Sequence, residues 1–231
     1  MFYLQNSVAL EGQKLLEDIF DQDVSQGSVS MRMFQPYMKA GSRALVIHDQ
    51  SGGLALLAAT MGCRVFASIA NENRTTELLK NYGYTEEIEF HSETIENVLQ
   101  AQKFELILIK NGVLADSSME FFPKLDLILE ALTENGCVLV MQDFRGAFSS
   151  TNEARTNSAA PISLNRFLLL LNVPNSLLVD AKFHGFISKK KGWKRMKRLR
   201  SILDANFFNN ILPKHFLRSA SVVIQNKKDL T

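Results

Sequence analysis

Residues 43–61 read Arg43-Ala44-Leu45-Val46-Ile47-His48-Asp49-Gln50-Ser51-Gly52-Gly53-Leu54-Ala55-Leu56-Leu57-Ala58-Ala59-Thr60-Met61. Arg43 to His48 is an apolar run of strand length. Asp49-Gln50-Ser51-Gly52-Gly53 is a polar, glycine-bearing loop, and the Ala- and Leu-rich segment 54–61 reads as a compact helix. Strand, tight loop and helix together open a βαβ unit. Glycines in such a loop turn the chain sharply and let a ligand approach the backbone. In an open α/β sheet, ligands bind beyond the carboxyl ends of the strands where the strand order reverses, and the first loop lines that crevice.

The same rhythm repeats downstream. Arg64 to Ala70 reads as a second strand, Asn73 to Tyr82 as a helix ended by Gly83, and Ile88 to His91 as a short third strand. Ile95 to Ala101 reads as a short helix, Phe104 to Ile109 as a fourth strand, Phe121 to Leu132 as a helix ended by Asn135-Gly136, and Cys137 to Gln142 as a fifth strand. The strands are continuous apolar runs, as expected where helices cover both faces of a sheet. This alternation predicts a parallel, doubly wound sheet with right-handed crossovers. After residue 142 the rhythm changes. Phe144 to Pro161 is a polar loop or insertion, Ser163 to Leu171 a helix, Leu177 to Ile187 a strand with a turn at its end, and Ser219 to Gln225 a final strand. The two late strands suit an antiparallel pair added at the sheet edge. Upstream, Val8, Leu15, Leu16, Ile19 and Phe20 give residues 7–20 an amphipathic helical pattern. The predicted fold class is α/β: a Rossmann-like, doubly wound, mostly parallel seven-stranded sheet with an antiparallel edge strand. It is read as one domain over 1–231, with a helical cap at 1–39, a core at 40–142, an insertion at 143–218, and the last strand and tail at 219–231.

A chain of 231 residues, 46% hydrophobic and 22% charged, has ordinary globular composition and can bury a large core without staples. The net charge of +2 says little about partners. Cys63 and Cys137 lie in apolar segments and read as two buried thiols. No Cys/His cluster has zinc-ligand spacing, so no metal is expected. The start, Met1-Phe2-Tyr3-Leu4-Gln5-Asn6, lacks a charged region followed by an apolar run. The apolar clusters fall short of the ~20 residues that span a bilayer. A cytoplasmic location is the expectation.

Several residues carry two readings. Asp49 either accepts hydrogen bonds from a ligand or caps the helix at Leu54. His48 either meets the ligand or is a satisfied strand-end histidine. Gly52 and Gly53 serve ligand approach or a plain turn. Ser92 also reads as the cap of the helix that follows. Lys110, directly after the four apolar strand residues Leu106 to Ile109, either holds an anionic substrate or acts as a base, or else snorkels at the sheet rim. Asp143 and Arg145 follow the fifth strand and are read in the same way. Lys189-Lys190-Lys191-Gly192-Trp193-Lys194-Arg195-Met196-Lys197-Arg198-Leu199-Arg200 holds eight positive residues and no acid. It suits RNA or another polyanion, with Trp193 free to stack. It also suits peripheral contact with an anionic membrane, or a solvated helix face.

Over residues 40–142, with an extension to the final strand, the chain resembles the class I S-adenosylmethionine-dependent methyltransferases. The likeness rests on the Gly-bearing loop after the first strand, the run LALLAATMG and seven apparent strands. It implies S-adenosyl-L-methionine as cofactor. His48, Asp49, Gly52 and Gly53 would contact its methionine and ribose part, Asn71 and Glu72 the ribose hydroxyls, and Ser92 and Glu93 the adenine amine. Lys110, Asn111 and Asp143 would face the methyl acceptor, whose identity the resemblance leaves open. The family loop reads Asp/Glu-x-Gly-x-Gly-x-Gly, and only Gly52 and Gly53 match it. Counted back from the helix, its acidic position falls at Val46, and the acid expected at the end of strand two falls at Ile69. His48-Asp49 and Leu108-Ile109-Lys110 are similar to short stretches in the degenerate N-terminal domain of tandem-domain ribosomal RNA guanine-N2 methyltransferases. Two functions follow: a methyltransferase, or a non-catalytic domain of the same fold that binds RNA or another polyanion. A dehydrogenase-like reading is weaker, because no G-x-G-x-x-G follows the first strand.

Overall fold

The computed structural model describes residues 14–19, 30–47, 49, 51–68, 72–110, 125–143, 167, 176–184 and 219–226. The chain divides into two compact units, Met1–Lys110 and Asn111–Thr231.

The first unit is built on four parallel strands: β1 (Arg43–Ile47), β2 (Arg64–Ser68), β3 (Ile88–His91) and β4 (Phe104–Lys110). β1 lies between β2 and β4, with Leu45 in register with Phe66 on one side and Ile107 on the other. β3 pairs with the far side of β2, Ser68 facing His91. The carboxyl ends Ile47, Ser68, His91 and Lys110 therefore emerge at one end, and the strand order reverses between β1 and β4. Ala44 to Ile47 and Leu106 to Ile109 are all buried, which is why their sequence runs apolar without alternation. Helix α1 (Gly53–Thr60) follows β1, α2 (Glu72–Asn81) follows β2 and α3 (Ile95–Ala101) follows β3. Every residue of α1 from Gly53 to Ala59 is buried, consistent with a helix that is apolar all round. Its small residues allow it to lie against both α2 and the sheet.

At the opposite end of these strands Arg43 acts as a pin. Its guanidinium stacks over Phe66 at 4.9 Å and Phe104 at 5.5 Å, and Nη2 donates to Gln102 Oε1 at 2.6 Å. Its backbone N–H donates to Glu105 Oε2 at 2.8 Å. One side chain thus ties the starts of β1 and β4 to the middle of β2. Cys63 is fully buried nearby, and burial, helped by the charge of Glu105, pushes its thiol up to about 11. Cys137 is buried as well.

Within the predicted helix 7–20, residues 14–19 are helical; residues 30–34 are helical as well and lead into a short turn of 3₁₀-helix, Gln35–Tyr37. The 14–19 segment is fastened to α2 by Tyr82, whose hydroxyl donates to Asp18 Oδ2 at 2.6 Å.

In the second unit β5 (Leu132–Asp143) pairs antiparallel with β7 (Ser219–Asn226), which pairs antiparallel with β6 (Ser176–His184). The predicted antiparallel pair is present. β5 begins at Leu132, not at Cys137: residues 125–130 are helical, and the chain is extended through Asn135-Gly136, which sequence reading takes as a helix stop. All seven strands belong to one sheet, in the order β3-β2-β1-β4-β5-β7-β6. No helix among the described residues is long and apolar enough to cross a membrane.

The Tyr82 hydroxyl supplies a test of the N-terminal fastening. Burial first, then the hydrogen bond to Asp18 and that carboxylate's charge, push it up from 10.0 to about 12. The unfolded chain releases this proton near its ordinary value, so the stabilisation is complete below that pH and is lost as pH rises through the folded value. Tyr82→Phe is expected to cost about 1 kcal/mol at neutral pH and to show a shallower alkaline loss of stability, measured by chemical denaturation at neutral and alkaline pH.

Candidate functional site

The carboxyl end of β1 leads into a turn whose polar groups account for one another. Asp49 is only 5% exposed. Its Oδ2 accepts from Leu54 N at 2.7 Å and Ala55 N at 3.1 Å, two donors of the first turn of α1 that have no partner within the helix. Its Oδ1 accepts from Ser51 Oγ at 3.0 Å. Ser51 Oγ accepts from Gly53 N at 3.4 Å and from Lys110 Nζ at 3.1 Å. A hydrogen-bonded chain thus runs from the tip of β4 through Ser51 to Asp49 and into the start of α1, across the point where the strand order reverses. Of the two readings of Asp49, the capping one describes what the carboxylate does.

Gly52 and Gly53 are both required, for different reasons. Gly52 has φ +77°, a left-handed conformation, and a Cβ there would meet Thr75 Cα and Oγ1 at 3.2 Å. Gly53 lies directly under the Ile19 carbonyl, where a Cβ would overlap the Ile19 carbonyl oxygen and approach Asp18 O to 3.2 Å. In this structure both glycines admit neighbouring protein backbone and side chains.

The tip of β3 differs. The Nδ1 of His91 lies 3.2 Å from the Glu93 carbonyl, and that contact requires Nδ1 to carry the proton. In the neutral ring Nε2 is then a lone-pair acceptor, and it is buried without a hydrogen-bond partner. Ser92 and Glu93 beside it are exposed. Ser92 does not cap α3. Thr94 does, its hydroxyl accepting from Asn97 N at 3.4 Å. The hydroxyl of Thr94 stands three residues before that N–H, the spacing a cap requires.

The structure brings Asp49, Gly52, Gly53 and Lys110 together in this turn. Glu72 opens α2 and is exposed, on the same helix whose Thr75 and Leu78 abut Gly52. Val46, where the acid of the family loop would fall, is 5% exposed within β1. Asp143 closes β5 opposite Ser219, in the second unit. His48, Ile69, Asn71, Asn111, Arg145 and the segment 189–200 lie outside the described residues. Two participants were missed in the sequence, Ser51 and His91. For Ser51 a signal existed: a small hydroxyl residue two positions after an acid, just before the glycines. For His91 the strand position gave none.

No protein-family model matches the chain. No curated protein matches it either. Solved structures do. A SAM-dependent methyltransferase from Geobacter sulfurreducens in complex with S-adenosyl-L-homocysteine is 12% identical, with a TM-score of 0.54 over 86% of this chain and 90% of that one. Coclaurine N-methyltransferase bound to N-methylheliamine and S-adenosylhomocysteine is 12% identical, with a TM-score of 0.55 over 90% and 73%. The [4+2]-cyclase SpnF is 13% identical, with a TM-score of 0.58 over 87% and 81%. The fold is that of the class I S-adenosylmethionine-dependent methyltransferases.

The turn makes a direct prediction. Asp49→Ala removes the acceptor of two buried N–H groups and is expected to destabilise the protein by about 1–2 kcal/mol. Gly53→Ala is expected to cost ~1–3 kcal/mol through overpacking against Ile19. Urea unfolding midpoints measure both. A neutral Asp49→Ala would mean that the carboxylate does not cap α1.

Proposed function

We propose that this chain binds S-adenosylmethionine beyond the carboxyl ends of β1, β2, β3 and β4 and transfers its methyl group to an acceptor. The observation that carries this reading is the opening of four parallel strand tips at one end, with the order reversal between β1 and β4. Solved structures of the same fold hold S-adenosylhomocysteine.

The fit of this chain's residues to such a cofactor differs from strand to strand. At β3 the buried, unpartnered Nε2 of His91 suits the donor amine of an adenine, with Ser92 and Glu93 alongside. Glu72, at the start of α2, supplies an exposed carboxylate for ribose hydroxyls. At β1 the Asp49 carboxylate is committed to α1, so its part is to fix the loop rather than to take a ligand's ammonium. Lys110 is held by Ser51 at the tip of β4 and would face the acceptor. The cofactor supplies an electrophilic methyl group on a sulfonium. The protein's contribution is to align an acceptor with it, which needs position more than a dedicated acid or base.

A second reading is favoured by one specific observation: Gly52 and Gly53 are filled against Thr75, Leu78 and Ile19. A loop whose glycines serve internal packing fits a domain that has kept the fold and lost the cofactor. Such a domain would hold RNA or another polyanion through Lys189 to Arg200.

Calorimetric titration separates the two. Micromolar binding of S-adenosylmethionine or S-adenosylhomocysteine is expected, and no heat at millimolar ligand would leave the non-catalytic reading. His91→Leu is expected to weaken S-adenosylhomocysteine up to about tenfold, the worth of one neutral hydrogen bond. Under the second reading, replacing Lys189, Lys190 and Lys191 with Ala lowers RNA affinity and flattens its dependence on salt. The slope falls by roughly 0.7 for each phosphate of single-stranded RNA that the variant no longer neutralises. An unchanged slope would remove the polyanion role.

A further inference from the structure

β6 pairs with β7 along its length and, among the described residues, with no strand on its other side. Ala220 to Ile224 of β7 are all buried, whereas no described side chain of β6 is. The two exposed large apolar side chains among the described residues are neighbours in β6, Leu178 at 45% and Val179 at 40%. They stand at a bulge. The register steps from Leu178 opposite Ile224 to Asp180 opposite Val223, leaving Val179 as the extra residue. Past the bulge, Ala181 N–H donates to the Asp180 carboxylate at 2.8 Å, and Lys182 Nζ lies 3.9 Å from the same oxygen. A bulge and charged side chains are devices that keep an open strand from joining arbitrary neighbours.

We propose that β6 pairs antiparallel with β6 of a second copy of this chain, about a twofold axis at Ala181. The charge pattern selects this occupant. About such an axis residue 180 falls opposite residue 182, so Asp180 meets Lys182 of the partner subunit, and Lys182 meets the partner's Asp180. Opposite charges directly across a strand pair attract, and like charges repel. Val179, Ala181 and Phe183 occupy the alternate positions and carry no charge. One face of the joint is then an alternating row of acids and bases, and the other is a row of uncharged residues next to the exposed Leu178. A twofold interface must be complementary to itself, and Asp-Ala-Lys centred on Ala181 meets that condition. The cap that Asp180 places on Ala181 N–H is released as the carboxylate turns to the partner's Lys182. One strand pair covers less surface than the roughly 1,200 Å² of a stable interface, so the association is reversible and depends on concentration.

Sedimentation velocity on the full chain over a dilution series tests this. The wild type is expected to show a monomer–dimer equilibrium. Asp180→Lys alone, or Lys182→Asp alone, places like charges opposite each other twice by symmetry, and is expected to raise the dissociation constant about tenfold. The double exchange, Asp180→Lys with Lys182→Asp, restores complementarity and should restore the wild-type value, which a variant that merely misfolds would not do. A wild type that stays monomeric up to about 1 mM, as it would if another part of the chain or a different protein covered Leu178 and Val179, overturns the proposal. So does a dimer indifferent to the single reversals, or one that the double exchange fails to rescue.

Discussion

The first turn of α1 presents backbone N–H groups inside a helix that is buried from Gly53 to Ala59. Water does not reach such groups, and each buried donor without a partner costs about 1–3 kcal/mol. The chain answers with side chains from the loop itself. Gly53 N reaches Ser51, and Leu54 N and Ala55 N reach Asp49. Asp49 can do this only if the loop doubles back, and Gly52 in its left-handed conformation provides that reversal. With the loop so closed, Gly53 faces outward onto the end of the 14–19 helical segment and Gly52 onto α2. The N-terminal segment, the second helix and the tip of β4 are thus all referred to one capped turn.

The sequence carried the alternation of strands and helices because burial on both faces writes itself as uninterrupted apolar runs, as in Ala44 to Ile47 and Leu106 to Ile109. It carried the capping role of Asp49 only as one of two readings. Residue type and loop position cannot say that this carboxylate meets the helix; the bonds to Leu54 and Ala55 do. The start of β5 was hidden because Asn135-Gly136 has the composition of a helix stop, yet the chain runs as strand through it from Leu132 to Asp143. The cap of α3 was misassigned to Ser92 because Ser92 and Thr94 are equally good caps by type, and only backbone geometry chooses between them. Nothing in a four-residue strand marks His91 as holding an unsatisfied nitrogen.

The architecture narrows the chemistry without fixing it. A [4+2]-cyclase has this fold alongside the methyltransferases, at comparable structural similarity. The decision therefore lies with particular groups at the strand ends. Here they point in two directions. His91 offers an acceptor that the protein leaves unused, which is costly unless something comes to meet it. The glycines of the first loop are used up by the protein's own packing.

Charge at the first loop sharpens this contrast. Asp49 and Lys110 are opposite charges joined through one hydroxyl, so their sum at the order reversal is zero. The carboxylate's field is further spent on the positive end of α1, where a negative group is favoured. A cationic ligand group arriving there would gain little from Asp49. If the chain binds S-adenosylmethionine as proposed, discrimination would come from the cofactor's uncharged end. On that proposal this end lies at β2 and β3, where Glu72 is exposed and His91 Nε2 has no hydrogen-bond partner. In this chain the first strand's loop holds the scaffold in place, and on the proposed reading the neighbouring strand tips would carry recognition.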